Sequence, residues 1–265
     1  INTTLVDTVD NTGDQTYNDA VQIGANATLN GNDITFNSTL NADATGSDRT
    51  LQIDSNNGGV TTFNGTVGNS GELESLTTNA DGRVDINTAS IITDGASIMF
   101  NDPVRLMVSV TITDNRVGNV TFNSTVDSES GEANALHVNT TTGATVFNGI
   151  VGNDALAGLS NDNGLGNIET DDAVINTTLV RNDGTQIYQG AVTLGAVDVT
   201  LQTDDTATFN STVDATTLGV EGLVVAVHDV LATGDESSQR WGVTRRASGG
   251  PLQRADGPRH RAALR

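Results

Sequence analysis

The chain repeats itself, and the repeat restricts its fold more than any other feature. INTTLV at residues 1–6 returns at 175–180, with INTA at 86–89 between them. YNDAV at 17–21 is echoed by FNDPV at 100–104 and YQGAV at 188–192. ITFNSTL at 34–40, VTFNSTV at 120–126 and ATFNSTV at 207–213 form a third series. TFNGTVGN at 62–69 pairs with VFNGIVGN at 146–153. Four landmarks thus recur at 83–89 residues, which divides the chain into repeats at 1–85, 86–174 and a partial third at 175–236.

Each long repeat contains a shorter unit. An aromatic residue is followed by Asn or Gln, then small or polar residues, then an aliphatic. The aromatics are Tyr17, Phe36, Phe63, Phe100, Phe122, Phe147, Tyr188 and Phe209. The aliphatics are Val21, Leu40, Val67, Val104, Val126, Val151, Val192 and Val213. Ile1, Ile86 and Ile175, each followed by Asn, hold the place of the ring in the remaining units. Eleven units result, at steps from 13 to 28 residues.

Within a unit the apolar spacing is two, as in Ile34 and Phe36 or Val120 and Phe122, and Thr and Val abound. Both observations favour strands. NGND at 30–33, SNNGG at 55–59, NADG at 79–82 and SNDNG at 160–164 mark turns. A hairpin barrel or sandwich accounts for the alternation but not for one residue type returning to one slot in every unit. A β-solenoid accounts for both, because stacked rungs set like residues over like. The expectation is one rung per unit, with Phe36, Phe63, Phe122 and Phe147 in a single continuous column and the aliphatics in a second. The Asn after each ring has two readings. It forms a ladder, donating to one rung and accepting from the other, or it adopts a left-handed turn conformation.

Composition removes several functions. There is no Cys, so disulfides, thiolate metal sites and cysteine nucleophiles are excluded. The formal net charge is −21 and every basic residue is Arg, so a polyanion such as nucleic acid is repelled. No apolar run approaches the roughly 18 residues of a spanning helix, so membrane insertion is not expected. Residue 1 is Ile, which suggests a processed product or a piece of a longer protein.

Parallel β-helices also host polysaccharide lyases and hydrolases, whose sites need a base and clustered acids. The repeat region offers His137, His228, Arg49, Arg83, Arg105, Arg116 and Arg181, none in a cluster that breaks the repeat. Asp171–Asp172 and Asp204–Asp205 are poor dyads, because adjacent strand residues point to opposite faces. No fingerprint of a hydrolase, zinc protease or nucleotide site is present. TTNADGRVD at 77–85 echoes part of a calcium loop through Asn79, Asp81, Gly82 and Asp85, but Thr77 and Thr88 stand where acids are needed. SNDNGLGNIE at 160–169 is equally partial. Turn chemistry explains both, and only weak Ca²⁺ binding stays open. No catalytic, cofactor-binding or metal residue is therefore assigned. Nine N-x-S/T sequons, at Asn2, Asn26, Asn37, Asn64, Asn119, Asn123, Asn139, Asn176 and Asn210, follow mostly from the unit itself. An ice-binding face would need regular outward Thr ranks, against which the varying unit length argues.

Segments such as GDQTYNDAVQIGANATL (13–29), ITFNSTL, TFNGTVGN and INTTLV resemble the repeats of large secreted bacterial proteins of the β-strand-repeat, filamentous-haemagglutinin-like and autotransporter-adhesin-like kinds. The resemblance covers roughly residues 1–230. It implies an all-β, single-stranded right-handed parallel β-helix of about eleven rungs, roughly 50 Å long. It also implies a non-catalytic stalk or adhesin segment at the bacterial cell surface, whose partner is a surface glycan or protein. Alternatives are a self-assembling filament joined end to end and a polysaccharide-acting enzyme. After residue 236 the pattern stops. Residues 237–265 carry seven of the twelve Arg and one acid, Asp256. This tail reads as an out-of-frame or appended segment, a basic tail docking on the acidic body, or an arm for nucleic acid or a membrane surface.

Overall fold

The computed structural model describes residues 1–8, 10, 12–44, 48–152 and 164–215, together with strands Leu223–Val227, Val243–Arg245 and Gln253–Ala255. It is an all-β parallel solenoid of about nine turns, with no α-helix among the described residues. Strands three to six residues long, with the single exception of Ser90–Phe100 among the described residues, alternate inward apolar with outward polar side chains. Corners rich in Gly, Asn and Asp separate them, as Thr- and Val-rich segments with such punctuation require.

Each turn crosses three faces. The first face runs upward through Gln15–Tyr17, Ile34–Phe36, Val60–Phe63, Arg83–Ile86, Val104–Leu106 and Val126–Ser128. It continues through Val151, Leu179–Asn182, Val199–Thr203 and Leu223–Val227. The second face starts with Val21–Ile23, Leu40–Ala42 and Val67, and reaches the first part of Ser90–Phe100. Above that lie Val110–Asp114, Leu136–Thr140, Ile168–Thr170, Gln186–Tyr188 and Ala207–Phe209. The third face holds Leu5–Asp7, Ala27–Gly31, Thr50–Ser55, Leu73–Thr78 and the second part of Ser90–Phe100. It ends with Asn119–Phe122, Thr145–Phe147, Ala173–Ile175, Val192–Leu194 and Val213–Ala215. Every pairing on these faces is parallel. The core is the narrow prism between them, filled by Ile, Leu, Val and Phe side chains that are almost fully buried.

The expected single aromatic column is three columns. Tyr17, Phe36 and Phe63 stack on the first face, with centroids 5.2 and 5.6 Å apart, and Ile86 continues them. Phe100, Phe122 and Phe147 stack on the third face at 5.5 Å, continued by Ile175. Tyr188 and Phe209 stack on the second face at 5.2 Å. The aliphatic column divides in the same way, into Val21–Leu40–Val67, Val104–Val126–Val151 and Val192–Val213. The cause lies in the short steps. From Ile86 to Phe100 the chain passes only the second and third faces, inside one 11-residue strand, Ser90–Phe100, that bends at the corner. The step from Ile175 to Tyr188 likewise makes two-thirds of a turn, through Leu179–Asn182 and Gln186–Tyr188. Units therefore outnumber turns, and the expected eleven rungs are about nine.

Two landmark glycines are fixed by the corners. Gly68 and Gly152, in TFNGTVGN and VFNGIVGN, have φ of 77° and 66°, a region only glycine enters freely. A Cβ there would also lie about 2 Å from the carbonyl oxygen of Ile92 or Arg181 in the next turn. Of the tail, only the strands Val243–Arg245 and Gln253–Ala255 are described, and they pair antiparallel. The readings of the tail's origin and role lie outside the described residues.

Candidate functional site

The side chains that recur from turn to turn hold the turns to one another. On the first face the Asn37 Nδ2 donates to Asn18 Oδ1 (2.9 Å), Asn64 to Asn37 (2.8 Å) and Asn87 to Asn64 (2.8 Å). On the third face Asn123 donates to Asn101 (2.6 Å), Asn148 to Asn123 (2.6 Å) and Asn176 to Asn148 (2.8 Å). On the second face the Asn210 Nδ2 donates to Gln189 Oε1 (2.7 Å), and the Gln189 Nε2 donates to Glu169 Oε1 (2.7 Å). Among the described residues the only non-glycine positions with positive φ are Asp10, Asn57 and Asp198. The Asn that follow the rings are thus ladder rungs, and the left-handed reading falls away for them.

Both tyrosines stand where a core glutamine can receive their hydroxyl. The Tyr17 hydroxyl donates to Gln15 Oε1 (2.7 Å) and the Tyr188 hydroxyl to Gln186 Oε1 (3.2 Å). Gln186 is fully buried and donates to the carbonyls of Val180 and Gln202 and to Asn182 Oδ1. Burial pushes the Tyr188 phenol far above its ordinary range, so it stays a hydrogen-bond donor. The recurrence of Q-x-Y at 15–17 and 186–188 was the sequence signal for these pairs.

Most of the described titratable groups weighed for catalysis are held apart or paired. Arg83 and Arg105 both grip Asp85, at 2.7 and 2.6 Å, and Asp85 is nearly buried. Hydrogen bonding to Asp85 raises the Arg83 guanidinium further above its ordinary range, the reverse of what a proton-abstracting base needs. Arg49 pairs with Asp43 (3.0 Å) and Arg116 with Asp94 (2.9 Å). His137 lies on the outside of the second face, 4.0 Å from Glu169; His228 lies outside the described residues. Asp171 and Asp172 sit at a corner and serve different turns: Asp171 accepts from the Thr140 N–H (2.9 Å) and Asp172 from the Ala191 N–H (2.6 Å). Asp205 donates its N–H to Thr203 Oγ1 in the turn after Val199–Thr203.

In the segment 77–85, Asp85 is taken by the two arginines and Asp81 accepts from the Asn57 N–H (3.3 Å). Among the described residues no group of three or more His, Asp or Glu is placed to hold a metal ion. The candidate 160–169 falls partly outside the described residues.

Two buried carboxylates escaped the sequence reading. Asp114 receives the Thr93 hydroxyl (2.9 Å) and the N–H groups of Arg116 (3.1 Å) and Gly118 (3.0 Å), closing a corner from inside. Asp102, 1% exposed, accepts from the Gly82 N–H (2.7 Å), while its Oδ2 has no partner. Burial, aided by the negative charges of Asp81 and Asp54, raises its carboxyl above the ordinary value despite the bonds from Gly82 and Thr78. The signal was slight: Asp102 occupies the place that Ser38, Gly65, Ser124 and Gly149 hold in other units.

No family model, curated protein or solved structure matches the chain.

Proposed function

We propose that the chain is a non-catalytic structural and adhesive segment of a secreted bacterial surface protein, a rigid rod presenting its outer faces to a surface glycan or protein. The observation that carries this reading is the use of the recurrent side chains. Rings, aliphatics and amides repeat because they join each turn to the next, and in the Arg83–Asp85–Arg105 cluster both guanidiniums are bonded to the one carboxylate. A site for bond cleavage would instead gather an unpaired base and acids in one groove. The resemblance of the repeats to those of secreted adhesin-like proteins points the same way.

The test has two arms. The full chain is incubated with polyuronates, pectin and other polysaccharides while chain cleavage is followed, and immobilised chain is scored for retention of glycans and extracellular-matrix proteins. No cleavage together with saturable retention is expected. Turnover abolished by a single substitution at Asp85, Arg105 or His137 would replace this reading with an enzymatic one.

A further inference from the structure

Among the described residues six buried side-chain oxygens have no hydrogen-bond partner: Asn30 Oδ1, Ser55 Oγ, Thr61 Oγ1, Asn79 Oδ1, Asp102 Oδ2 and Thr145 Oγ1. All but that of Thr145 lie at or beside the corner where the third face passes to the first, in four successive turns. Higher up, this corner is satisfied by the ladder through Asn101, Asn123, Asn148 and Asn176. The ladder stops at Asn101, which turns its Nδ2 to the Thr78 carbonyl (2.6 Å). Asn79 Oδ1, one turn below, is left without a donor. The next residue down the column is Asp54, whose ionised carboxylate has no hydrogen to give. Further inside the corner, Gly82 lies between two buried oxygens. Its N–H holds Asp102 Oδ1 (2.7 Å), which fixes the carboxylate over the turn below and leaves Oδ2 free. A Cβ on Gly82 would come within 2.9 Å of Ser55 Oγ, which belongs to the turn beneath. Ser55 is 0% and Asp102 1% exposed.

We propose that this corner binds one calcium ion, held by Asp102 Oδ2, Ser55 Oγ and Asn79 Oδ1, with the carboxylates of Asp54 and Asp81 beside it. The donor set selects the ligand. Every free atom is an oxygen, which suits a hard cation, and softer metals find no sulfur or imidazole here. Water satisfies a free oxygen but brings no charge. The negative charges of Asp81 and Asp54 act on Asp102, and none of the three carboxylates is ion-paired among the described residues. The outer two accept only from neutral donors, Asp54 from Gln52 Nε2 (2.9 Å) and Asp81 from the Asn57 N–H (3.3 Å). A positive charge is what the corner lacks. Calcium fits better than magnesium, because a hydroxyl, an amide and a carboxylate from three turns form an irregular set, and magnesium demands a near-octahedral one. Carboxylates alone do not build the site. Neutral oxygens complete it, and they come from separate turns, so no linear calcium loop marks it in the sequence. The bound ion ties Thr50–Ser55, Leu73–Thr78 and the end of Ser90–Phe100 together where the amide ladder is interrupted. With one buried carboxylate among neutral oxygens, a dissociation constant of about 0.1–1 mM follows. In calcium-free solution a proton takes the cation's place on Asp102, whose carboxyl lies above its ordinary value.

Thermal melting and calorimetric titration of the full chain, first stripped with a chelator, test this. At about 10 mM CaCl₂ the melting temperature should rise by about 3–8 °C, more than in MgCl₂ or in NaCl of equal ionic strength. The titration should show one site. Asp102→Asn keeps the shape of the side chain and loses its charge, so it should weaken calcium at least about tenfold and erase the calcium-specific part of the thermal shift. Asp214→Asn, an exposed change far up the rod, should leave both unchanged. Should Asp102→Asn fail to fold, Asp81→Asn decides, because Asp81 is exposed and its loss costs the fold little. It too should weaken calcium several-fold. A thermal shift no larger in calcium than in magnesium or sodium overturns the proposal, since screening of the acidic surface then accounts for it and water meets the free oxygens. Calcium binding that survives both Asp102→Asn and Asp81→Asn also overturns it, by placing the ion elsewhere.

Discussion

At the scale of single residues, the amide ladders convert a side chain of low strand propensity into a tie between turns. Asn123 is the middle of the third-face ladder, bonded at 2.6 Å on both sides. Replacing it with Ala removes both bonds at an exposed corner, and a loss of about 1–2 kcal/mol in urea unfolding is expected. Asn123→Asp is the sharper variant, because an ionised carboxylate cannot donate to Asn101. It should cost more than Asn123→Ala at neutral pH and recover part of that loss in acid, where the carboxyl regains a proton to donate. The native Asp102 supplies the pH argument for the wild type. Its folded-state value lies above the ordinary carboxylate value, so the folded chain holds a proton that the unfolded chain releases first. The stability it contributes is complete below the ordinary value and is lost as pH rises through the raised one. Asp102→Asn removes that loss. The variant should gain on the wild type as pH climbs through this interval, and the difference should be flat above it. A difference that does not change with pH would show that folding leaves the proton affinity of Asp102 unaltered, and one of opposite sign that Asp102 folds preferentially ionised.

At the scale of strands and columns, ring and aliphatic are alternatives for one slot, since Ile86 and Ile175 prolong the stacks of Phe63 and Phe147. Phe122, between two rings at 5.5 Å, should therefore accept Leu at a cost of about 1–1.5 kcal/mol, whereas Phe122→Ala opens a cavity and should cost about 3–5 kcal/mol. Chemical denaturation of both variants checks the ratio. The same columns show what was legible in the sequence. The period of two, the turn residues and the return of Phe-Asn gave the parallel stacking, because stacking is what places like over like. The face occupied by each unit was not legible. All three faces bear similar short strands, such as Ile34–Phe36, Ile168–Thr170 and Thr145–Phe147, each inward-apolar and closed by a polar corner. A unit returning after two strands looks like one returning after three. The 14 residues from Ile86 to Phe100 and the 13 from Ile175 to Tyr188 were the trace of the shorter path. Varying loop length imitated it. Asp102 and Asp114 were hidden for a related reason: at a solenoid corner, burial depends on which turn lies beneath.

At the scale of the whole molecule, the long repeat and the turn are out of step by a third. Between Ile86 on the first face and Ile175 on the third, the chain makes three full turns and two-thirds of another. Each long repeat therefore carries its stack and its Asn ladder to the next face, from first to third to second. Successive repeats display the same surface in three directions, with a rise of about 18 Å per repeat. Stability in such a rod is a sum over neighbouring turns, so the turn and not the sequence landmark sets what can be removed. Deleting residues 101–122 joins Phe100 to Asn123, takes out one whole turn and leaves Phe147 directly above Phe100. This variant should fold cooperatively, less stable by about 1–3 kcal/mol, the share of that many residues. Deleting only residues 115–122 takes out a single corner and strand, shifts every later strand by one face and moves Phe147 off the ring of Phe100. It should lose cooperative melting by circular dichroism and elute as aggregate. If the short deletion were tolerated as well as the long one, the three faces would be interchangeable, and the register of the aromatic columns would not be what holds the rod together.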